Sequence, residues 1–361
     1  MSTLTAIRAG MPQASQEPRD LRKTGIDPNF WYPLAQSREV AKGKAVGKTF
    51  AGDPIVLVRT KEGDVFALED RCAHRQVPLH LGVVRGERLQ CSYHCWTYDR
   101  SGACVNVPYL DKDQKLPNGV RSYPTREAYG LIFVFTGERA LAETVAFPEI
   151  PTFGTGEYKT RFLDRRINCH YSFMHENLMD MNHQFLHRSL MGSIRTTMLD
   201  LRGGDNWVEV DYTFSRAAGK QPLGERLMIG RGSVPKDQAG KDLMTIRTEY
   251  PYQNLKFWTA GSSEPALDLW NCYVPVDRAQ RINQTYGLIN IRKPGVPGMI
   301  HLLWPFIVGF TNGIFAQDRT IVEAEQKAFD DQGEDRNQEI FPIILKLRGL
   351  LTEKGVPLPQ A

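Results

Sequence analysis

Two closely spaced Cys–His pairs supply four side chains of the kind that bind metal ions. Cys72 and His74 are separated by one residue and Cys91 and His94 by two, with sixteen residues (75–90) between the pairs. Two thiolates and two imidazoles can hold either a structural zinc ion or an iron–sulfur cluster with mixed ligands. Because paired zinc ligands are usually two to four residues apart, the single residue between Cys72 and His74 favours the cluster.

Aromatic residues surround the second pair, at Tyr93, Trp96 and Tyr98. A [2Fe–2S] cluster needs shielding from water, which these side chains could provide. Replacing two thiolates with neutral imidazoles raises the reduction potential of such a cluster. The sequence therefore predicts an electron-carrying [2Fe–2S] centre rather than zinc.

A second group of possible ligands lies in the segment "HENLMDMNHQFLH". On a helix, with about 100° per residue, Asp180, His183 and His187 would share one face, with Asn177 beside them. The opposite, apolar face would consist of Met174, Leu178, Met181 and Phe185. Two histidines four positions apart can bind one metal ion together. A zinc hydrolase would need a glutamate directly after the first histidine, where Gln184 stands instead.

Two histidines and one carboxylate would form the ligand set of a non-haem Fe(II) site, which leaves positions open for O₂. Asp318, in "FAQDRTIVEAEQ", follows an apolar run and would open a helix, and it is our choice for the carboxylate. Glu176 is a local alternative, although three ligands from one helix would crowd the metal. The chain would thus carry one centre that stores electrons and another that reacts with O₂.

Both patterns resemble those of the terminal oxygenase (alpha) component of the Rieske non-haem iron oxygenases, the ring-hydroxylating and O-demethylating family. The first matches C-x-H-x(15–17)-C-x-x-H with "YHCW", although Cys95 stands where the commonest pattern has glycine. The second matches N-x-x-D-x-x-H-x(3–5)-H, with three residues between the two histidines. The resemblance covers nearly the whole chain from about Trp31 onward.

The resemblance implies a role for each of these residues. The cluster ligands would be Cys72, His74, Cys91 and His94. The ligands of a mononuclear Fe(II) would be His183, His187 and Asp318. In the family, a head-to-tail homotrimer brings the cluster of one subunit close to the iron of the next. Asp180 would link His183 to His94 of the neighbouring subunit, and Asn177 belongs to the same catalytic motif.

Electrons, oxygen and substrate would come from outside the chain. The sequence has no G-x-G-x-x-G dinucleotide fingerprint and no evident flavin site, so NAD(P)H would act only through a separate reductase, with or without a ferredoxin. The resemblance implies an apolar small-molecule substrate, cyclic or aromatic, that is hydroxylated or oxidatively demethylated. The run "HLLWPFIVGF" offers apolar side chains for a pocket, but the same residues could be ordinary core.

These residues would be positioned by two units in an α+β chain. From 28 to 145, "PIVLVRT" and "VFALED" flank the turn "KEGD" as a hairpin, and "GLIFVFTG" would close an all-β unit. From 146 to 361, strands are predicted at "NWVEVDYTFSR", "LDLWNCYVPV" and "RINQTYGLINIRK", with a C-terminal helix at "DRTIVEAEQKAFDDQ". The resemblance implies a Rieske domain followed by a helix-grip (START-like) catalytic domain, in which a curved antiparallel sheet wraps a helix.

Composition and charge exclude other classes of protein. The chain has 361 residues and a formal net charge of +4, which is too small and dispersed to indicate nucleic-acid binding. No segment is expected to span a bilayer, and residues 1–27 are expected to form a flexible polar leader without a signal-peptide core. The use of six cysteines fits a cytoplasmic protein. Cys95 and Cys104 could pair, bind nothing or tune the cluster, and packed free thiols are the simplest interpretation.

Two other functions remain open at this point. A Rieske electron-transfer protein would have the cluster but no mononuclear iron. A zinc-stabilised START-like module would bind a ligand without catalysis. The metal content of the purified protein separates these alternatives from an oxygenase.

Overall fold

The computed structural model describes residues 20–111, 113–216 and 242–358, together with Leu223. Short strands form the first part of the chain, to Phe135, and a larger sheet with helices forms the second part, from Tyr158. This arrangement confirms the predicted α+β class with an all-β unit first.

The first part is built from short antiparallel strands. They are β1 Thr24–Gly25, β2 Trp31–Gln36, β3 Lys44–Phe50, β4 Asp53–Arg59, β5 Val65–Glu69, β6 Val83–Arg85, β7 Arg88–Gln90, β8 Thr97–Tyr98, β9 Cys104–Asn106, β10 Ser122–Tyr123, β11 Thr125–Ala128 and β12 Leu131–Phe135. Their sheets have the orders β10-β5-β4-β3, β6-β7-β8-β9 and β11-β12-β2. The predicted hairpin is confirmed as β4 and β5, and the predicted closing strand as β12, which is buried along its whole length.

One antiparallel sheet dominates the second part. Its strands are β13 Tyr158–Ile167, β14 Ile194–Gly203, β15 Trp207–Arg216, β16 Leu243–Glu249, β17 Tyr252–Trp258, β18 Leu267–Pro275 and β19 Asn283–Arg292. Their order is β13-β19-β18-β17-β16-β15-β14. The three predicted strands are confirmed as β15, β18 and β19. β18 is buried on both faces because both faces of the sheet are covered at its centre.

Helices cover one face of this sheet. They are α1 Tyr171–Met179, α2 Arg188–Met191, α3 Met299–Gln332 and α4 Pro342–Lys354. Short 3₁₀ helices occur at Leu21–Lys23, Ser37–Glu39, Leu79–Leu81, Arg139–Glu143 and Met181–Phe185. The predicted C-terminal helix exists, but its predicted start at Asp318 is wrong, because α3 begins 19 residues earlier and contains Pro305. Because proline usually interrupts a helix, a helix that continues through Pro305 could not be predicted from the residue pattern.

A stripe of α3 faces the protein interior. Its buried residues are Ile300, Ile307, Thr311, Asp318, Val322, Gln326 and Phe329. These positions recur with the period of a helix that has one buried side. The run "HLLWPFIVGF" is therefore only partly core, since Ile307 is buried whereas Leu302 and Phe306 are exposed.

α3 also corrects the expectation that no segment is apolar enough to span a bilayer. Its 34 residues include an 18-residue window with a mean hydropathy of 1.5, of which 17% is buried. The expectation was wrong because residues 294–317 contain no Asp, Glu, Lys or Arg. By length and composition this helix could cross a membrane, which is weak evidence for insertion because core helices pass the same test.

The beginning of the described chain is tied to its end. β1 pairs antiparallel with β20 (Val356–Pro357), and the side chains of Leu21 and Ile26 are each 2% exposed. Residues 1–19 of the predicted leader lie outside the described residues. The remainder of that segment is packed against the second part of the protein.

One hydrophobic core joins the two parts of the chain. Trp270 of β18 contacts Phe133 of β12, with ring centroids 6.1 Å apart. The hydroxyl of Tyr252 donates a hydrogen bond of 2.7 Å to the main-chain carbonyl of Trp31. The first part of the chain therefore rests on the face of the sheet that the helices leave open.

Trp270→Ala should lower the free energy of unfolding by about 3–5 kcal/mol, because it leaves a cavity where the sheet meets the first part. Urea unfolding followed by far-UV circular dichroism measures the change. Leu302→Ala, at a side chain that is 74% exposed, is the control and should change stability by about 0.5 kcal/mol or less. Equal effects of the two substitutions would contradict this account of the core.

His175 of α1 is enclosed where this helix meets the sheet. Its side chain is fully buried, and neither ring nitrogen has a hydrogen-bond partner among the described residues. The ring of Tyr273 lies edge-on, with its centroid 4.8 Å away. Burial lowers the pKa of His175 to about 3, so the folded protein holds this imidazole neutral.

Acid should therefore destabilise the fold through His175. The unfolded chain binds a proton there with a pKa of about 6.5, so the stabilisation is present above pH 6.5 and is lost as the pH falls toward 3. The free energy of unfolding of wild type should fall between about pH 7 and 4.5, and that of His175→Leu should fall by about 2–3 kcal/mol less over the same interval. Urea unfolding at both pH values measures the difference. His301→Leu, which removes an exposed imidazole, should keep the wild-type dependence. Parallel profiles for wild type and His175→Leu would show that this ring is not responsible.

Candidate metal centres

The loops that carry the two Cys–His pairs meet in the first part of the chain. Cys72 and Cys91 are each 2% exposed, whereas His74 and His94 lie closer to the surface with ring centroids 4.5 Å apart. Burial raises the pKa of the Cys91 thiol, and the adjacent Cys72 thiol adds to this shift. The structure thus brings the two predicted thiols together and the two predicted imidazoles together, with the thiols buried and the imidazoles nearer the surface.

Aromatic rings enclose the two imidazoles. Trp96 stacks on His74 with 3° between the ring planes, and Tyr93 lies against His94 with centroids 3.7 Å apart. His74 Nδ1 is buried and has no hydrogen-bond partner within the described ranges. Since buried nitrogens are normally paired, this atom fits the role of a metal ligand.

Tyr98 makes a contact that the sequence did not reveal. Its hydroxyl oxygen lies 3.2 Å from Cys72 Sγ and 3.1 Å from the main-chain nitrogen of Ala73. The Ala73 N–H can only donate, so the Tyr98 hydroxyl accepts that bond and directs its own proton to Cys72 Sγ. Hydrogen bonds to cluster sulfurs are among the factors that set reduction potentials. The Tyr98 hydroxyl is therefore placed to influence the reduction potential of this centre as well as to shield it from water.

Cys95 and Cys104 do not pair with each other. All six cysteines are free thiols, and Cys104 is buried whereas Cys95 is exposed. The interpretation as packed thiols thus holds for Cys104 alone. Cys95 has a φ of 59°, a backbone conformation that glycine adopts with least strain, which explains why glycine suits this position in the motif.

The second group of predicted ligands lies at a break between helices. α1 ends at Met179, and Asp180 has an extended conformation (φ −87°, ψ 93°) before the 3₁₀ helix Met181–Phe185. Asp180 Oδ1 accepts hydrogen bonds of 2.8 Å from both the main-chain nitrogen and the side-chain amide of Asn182. Such local bonds compete with helix formation, so the predicted continuous helix is wrong. Phe185, predicted to pack, is 65% exposed.

The break still gathers three of the predicted side chains. The ligand atoms of His183, His187 and Asp318 all lie within 4.8 Å of one another. Asp318 Oδ1 is 3.2 Å from His187 Nε2 and 3.8 Å from His183 Nε2. One imidazole comes from the 3₁₀ helix, the other from the residue that precedes α2, and the carboxylate from the interior of α3.

Hydrogen bonds orient both imidazoles toward the carboxylate. His187 Nδ1 lies 2.9 Å from Gln317 Oε1, and His183 Nδ1 contacts the main-chain carbonyl of Asp180. Both partners are acceptors, so each Nδ1 carries the proton and each Nε2 presents a lone pair. His187 Nε2 and Asp318 Oδ1 are buried without hydrogen-bond partners in the part of the chain that is described. Two imidazoles and one carboxylate with unpaired, converging atoms fit a non-haem Fe(II) ion.

Electrostatics distinguish the two histidines. Burial lowers the pKa of His183, and the charge of Asp318 offsets this only in part. Burial also acts to lower the pKa of His187, but the adjacent Asp318 carboxylate outweighs it and raises that pKa above its ordinary value. A proton and a metal ion therefore compete for His187 Nε2.

Glu176, the alternative carboxylate ligand, is engaged elsewhere. Its Oε2 lies 2.7 Å from Arg22 and its Oε1 lies 3.2 Å from Arg348. Arg22 is only 3% exposed, so removing Glu176 would leave its buried charge with only the longer contact to Asp335, at 3.9 Å. Asp318 is therefore the carboxylate that the structure places beside the two histidines.

The two remaining motif residues lie close to the histidines. Asn177 is half-buried on α1, about one turn before Asp180. The contact between Asp180 and His183 is made by the main-chain carbonyl of Asp180, whereas a contact from its carboxylate was expected. Gln317, which orients His187, was missed, although its position directly before Asp318 was a usable signal.

Comparison with known proteins agrees with this geometry. Residues 30–124 match the family model of the Rieske [2Fe-2S] domain. Residues 167–343 match that of the vanillate O-demethylase oxygenase C-terminal domain. The two matches contain the two groups of candidate ligands described above.

Individual relatives extend this agreement to the whole chain. The 4beta-methylsterol monooxygenase of Methylococcus capsulatus is 30% identical over 95% of this chain and 92% of that protein. The oxygenase component of dicamba O-demethylase from Stenotrophomonas maltophilia is 35% identical over 45% of this chain and 48% of that protein. A crystal structure of dicamba monooxygenase with 3,6-dichlorosalicylic acid has a TM-score of 0.73 at 21% identity, covering 91% of this chain and 98% of that one, which shows the fold. The full-length relative and both domain matches establish that this chain belongs to the Rieske non-haem iron oxygenases, as a terminal oxygenase component.

Proposed function

We propose that this terminal oxygenase uses two iron centres to oxidise a methyl group on an apolar, cyclic substrate. The observation that carries the proposal is the convergence of His183, His187 and Asp318, with Nε2 and Oδ1 atoms that lack protein partners. One relative that matches over nearly the full length is named for a methylsterol, and two partial relatives are named for O-demethylation. These names support a methyl group as the point of attack. The oxygenase domain match argues against a simple electron carrier or a zinc-stabilised binding module.

The first centre is a Rieske [2Fe–2S] cluster. Its proposed ligands are Cys72, His74, Cys91 and His94. Members of this family receive electrons from a reductase or ferredoxin, and NAD(P)H is proposed to act only through such a partner. The surface position of the two imidazoles supports electron exchange with another protein or subunit.

The second centre is a mononuclear Fe(II) held by His183, His187 and Asp318. Bound there, the iron supplies the reaction with O₂ that oxidises the substrate. The chain orients the two imidazoles through Nδ1 protons donated to Asp180 and Gln317. Burial of Asp318 in α3 removes this carboxylate from bulk water, which strengthens its interaction with a cation.

Electron transfer between centres is proposed to pass through Asp180 in a head-to-tail homotrimer. Oδ1 of this carboxylate is used by Asn182, and Oδ2 makes no hydrogen bond within the described ranges. Oδ2 is therefore free to accept a hydrogen bond from His94 of a neighbouring subunit. The main-chain carbonyl of Asp180 already contacts His183, so one residue would touch both centres. Asn177 precedes this link by one helical turn and is proposed to support it.

The domain limits and location are also proposed. The Rieske domain would span 28–145 and the catalytic domain 146–361, limits that contain the matched ranges 30–124 and 167–343. The six free thiols support a cytoplasmic location, where disulfides are rare.

Asp318→Ala should remove the mononuclear iron and leave the cluster intact. Anaerobically purified wild type should contain about three irons and two labile sulfides per chain, and the variant about two irons and two sulfides. Iron and sulfide assays, with electron spin resonance of the reduced cluster, measure this. Asp331→Ala, at an exposed carboxylate of the same helix, is the control and should retain about three irons. Two irons in wild type would favour an electron carrier, and zinc alone would favour a binding module.

Asp180→Asn should leave both metals bound but lower NADH-driven turnover about 100-fold, because the amide alters the hydrogen bonds at the proposed link. Oxygen consumption with a reductase measures turnover, and iron analysis verifies metal content. Asp200→Asn, at an exposed carboxylate, should retain wild-type turnover. Normal turnover in Asp180→Asn would exclude the linking role.

A further inference from the structure

A directed chain of hydrogen bonds runs from α1 across the sheet and ends at an unused acceptor. Gln253 Nε2 donates to the main-chain carbonyl of His175 at 2.9 Å. The hydroxyl of Tyr273 donates to Gln253 Oε1 at 2.8 Å, and Asn271 Nδ2 lies 3.4 Å from the Tyr273 oxygen. Asn271 Oδ1 is buried and has no partner in the described part of the chain.

The chemistry of the groups fixes the direction of this chain. A main-chain carbonyl can only accept, so Gln253 must turn its amide nitrogen toward His175 and its oxygen toward Tyr273. The single proton of the Tyr273 hydroxyl goes to Gln253, so the hydroxyl oxygen can only accept from Asn271. Asn271 consequently turns its NH₂ group toward Tyr273. The free end of the chain is therefore a carbonyl oxygen, which requires a donor.

This oxygen lies on the face of the sheet that the helices cover. Side chains alternate along β18, so Leu269, Asn271 and Tyr273 share one face, and Asn271 is 4% exposed. His175 of α1 contacts the ring of Tyr273 from the helix side. The helix that carries His175 ends at Met179, directly before Asp180 and the 3₁₀ helix that contains His183, so Tyr273 lies on the side of the sheet that carries the second centre. Asn271 thus presents one unpaired acceptor on the side of the sheet that carries the second centre.

The absence of a side chain at Gly287 makes space for the Asn271 oxygen. The two residues are directly opposite each other on β19 and β18. A Cβ at Gly287 would lie 2.5 Å from Asn271 Oδ1 and 3.0 Å from Leu163 Cδ1, so any larger residue would clash with the acceptor and displace it. A buried carbonyl without a partner is unfavourable in a folded protein. A ligand that supplies a donor gives a physical reason for this arrangement.

We propose that Asn271 is a substrate-binding residue whose Oδ1 accepts a hydrogen bond from a hydroxyl group on an otherwise apolar, cyclic substrate. The inference rests on the proposed function and specifies its substrate class. The fixed amide discriminates against compounds that offer only an acceptor at this position, such as ketones. A sterol, the class named for the full-length relative, has an apolar ring system with one hydroxyl and fits this description.

Ligand binding to the anaerobic holoenzyme tests the inference without turnover. The probes are a 4-methylsterol with a free 3-hydroxyl, its 3-deoxy and 3-keto analogues, and the aromatic pair 4-methylphenol and toluene. In at least one series, wild type should bind the hydroxylated member about tenfold or more tightly than its analogue, which corresponds to about 1.4 kcal/mol. Asn271→Leu should reduce that preference to less than about twofold. Isothermal titration calorimetry gives the dissociation constants.

Two further variants separate recognition from damage to the fold. Gly287→Ala keeps Asn271 but would place a Cβ 2.5 Å from its oxygen and so displace it, and it should also lose the preference for the hydroxyl. Asn254→Leu is the matched control, because Asn254 Oδ1 is likewise buried and unpartnered within the described residues. Asn254 belongs to the adjacent β17 and faces the opposite side of the sheet, so its variant should keep the wild-type preference. The visible spectrum of the cluster verifies that each variant is folded.

Two results would overturn the inference. One is equal affinity of wild type for the members of every series, or no binding in any series. The other is an unchanged hydroxyl preference in the folded Asn271 and Gly287 variants. If the enzyme consumes O₂ with a substrate but shows no such preference, only the role of Asn271 fails. If wild type lacks a third iron, the proposed function itself fails.

Discussion

The second metal centre depends on two hydrogen bonds that keep the imidazole protons on Nδ1. Without the acceptors at Asp180 and Gln317, either ring could rotate or change tautomer, and the Nε2 lone pairs would no longer converge on Asp318. Both acceptors are local to the ligands, since one is three residues from His183 and the other directly precedes Asp318. The break in the helix at Asp180 is what makes the first of these bonds geometrically available.

The two centres differ in how far their candidate ligands are enclosed by the protein. At the first, the thiols of Cys72 and Cys91 are buried and Tyr98 provides a hydrogen bond, while both imidazoles approach the surface. At the second, the Asp318 carboxylate and the His187 imidazole are buried, whereas His183 is only partly buried. One centre is thus accessible to other proteins, and the other is placed where an apolar molecule can be held away from water.

The proximity of the candidate ligands within each motif could be predicted from the sequence because the motifs are local and combine uncommon residue types at fixed spacing. Strands β4, β5 and β18 were also predictable from alternation and turn residues. The break at Asp180 was not predictable, because the Asp180 side chain caps the next turn by accepting hydrogen bonds from Asn182, and this local bonding competes with helix periodicity. The partners of Glu176, which are Arg22 and Arg348, lie far away in sequence, so only the folded chain could reveal them.

Because Asp318 lies inside α3, the length of this helix determines where the carboxylate is placed. A continuous helix transmits register, so adding or deleting one residue between Met299 and Asp318 would turn the carboxylate by about 100° and shift it by about 1.5 Å along the axis. The buried stripe on either side would resist that rotation, since Ile307 and Val322 pack in the same core. Substitutions at the exposed side chains of α3 therefore leave the position of Asp318 unchanged, whereas an insertion or deletion between Met299 and Asp318 displaces it.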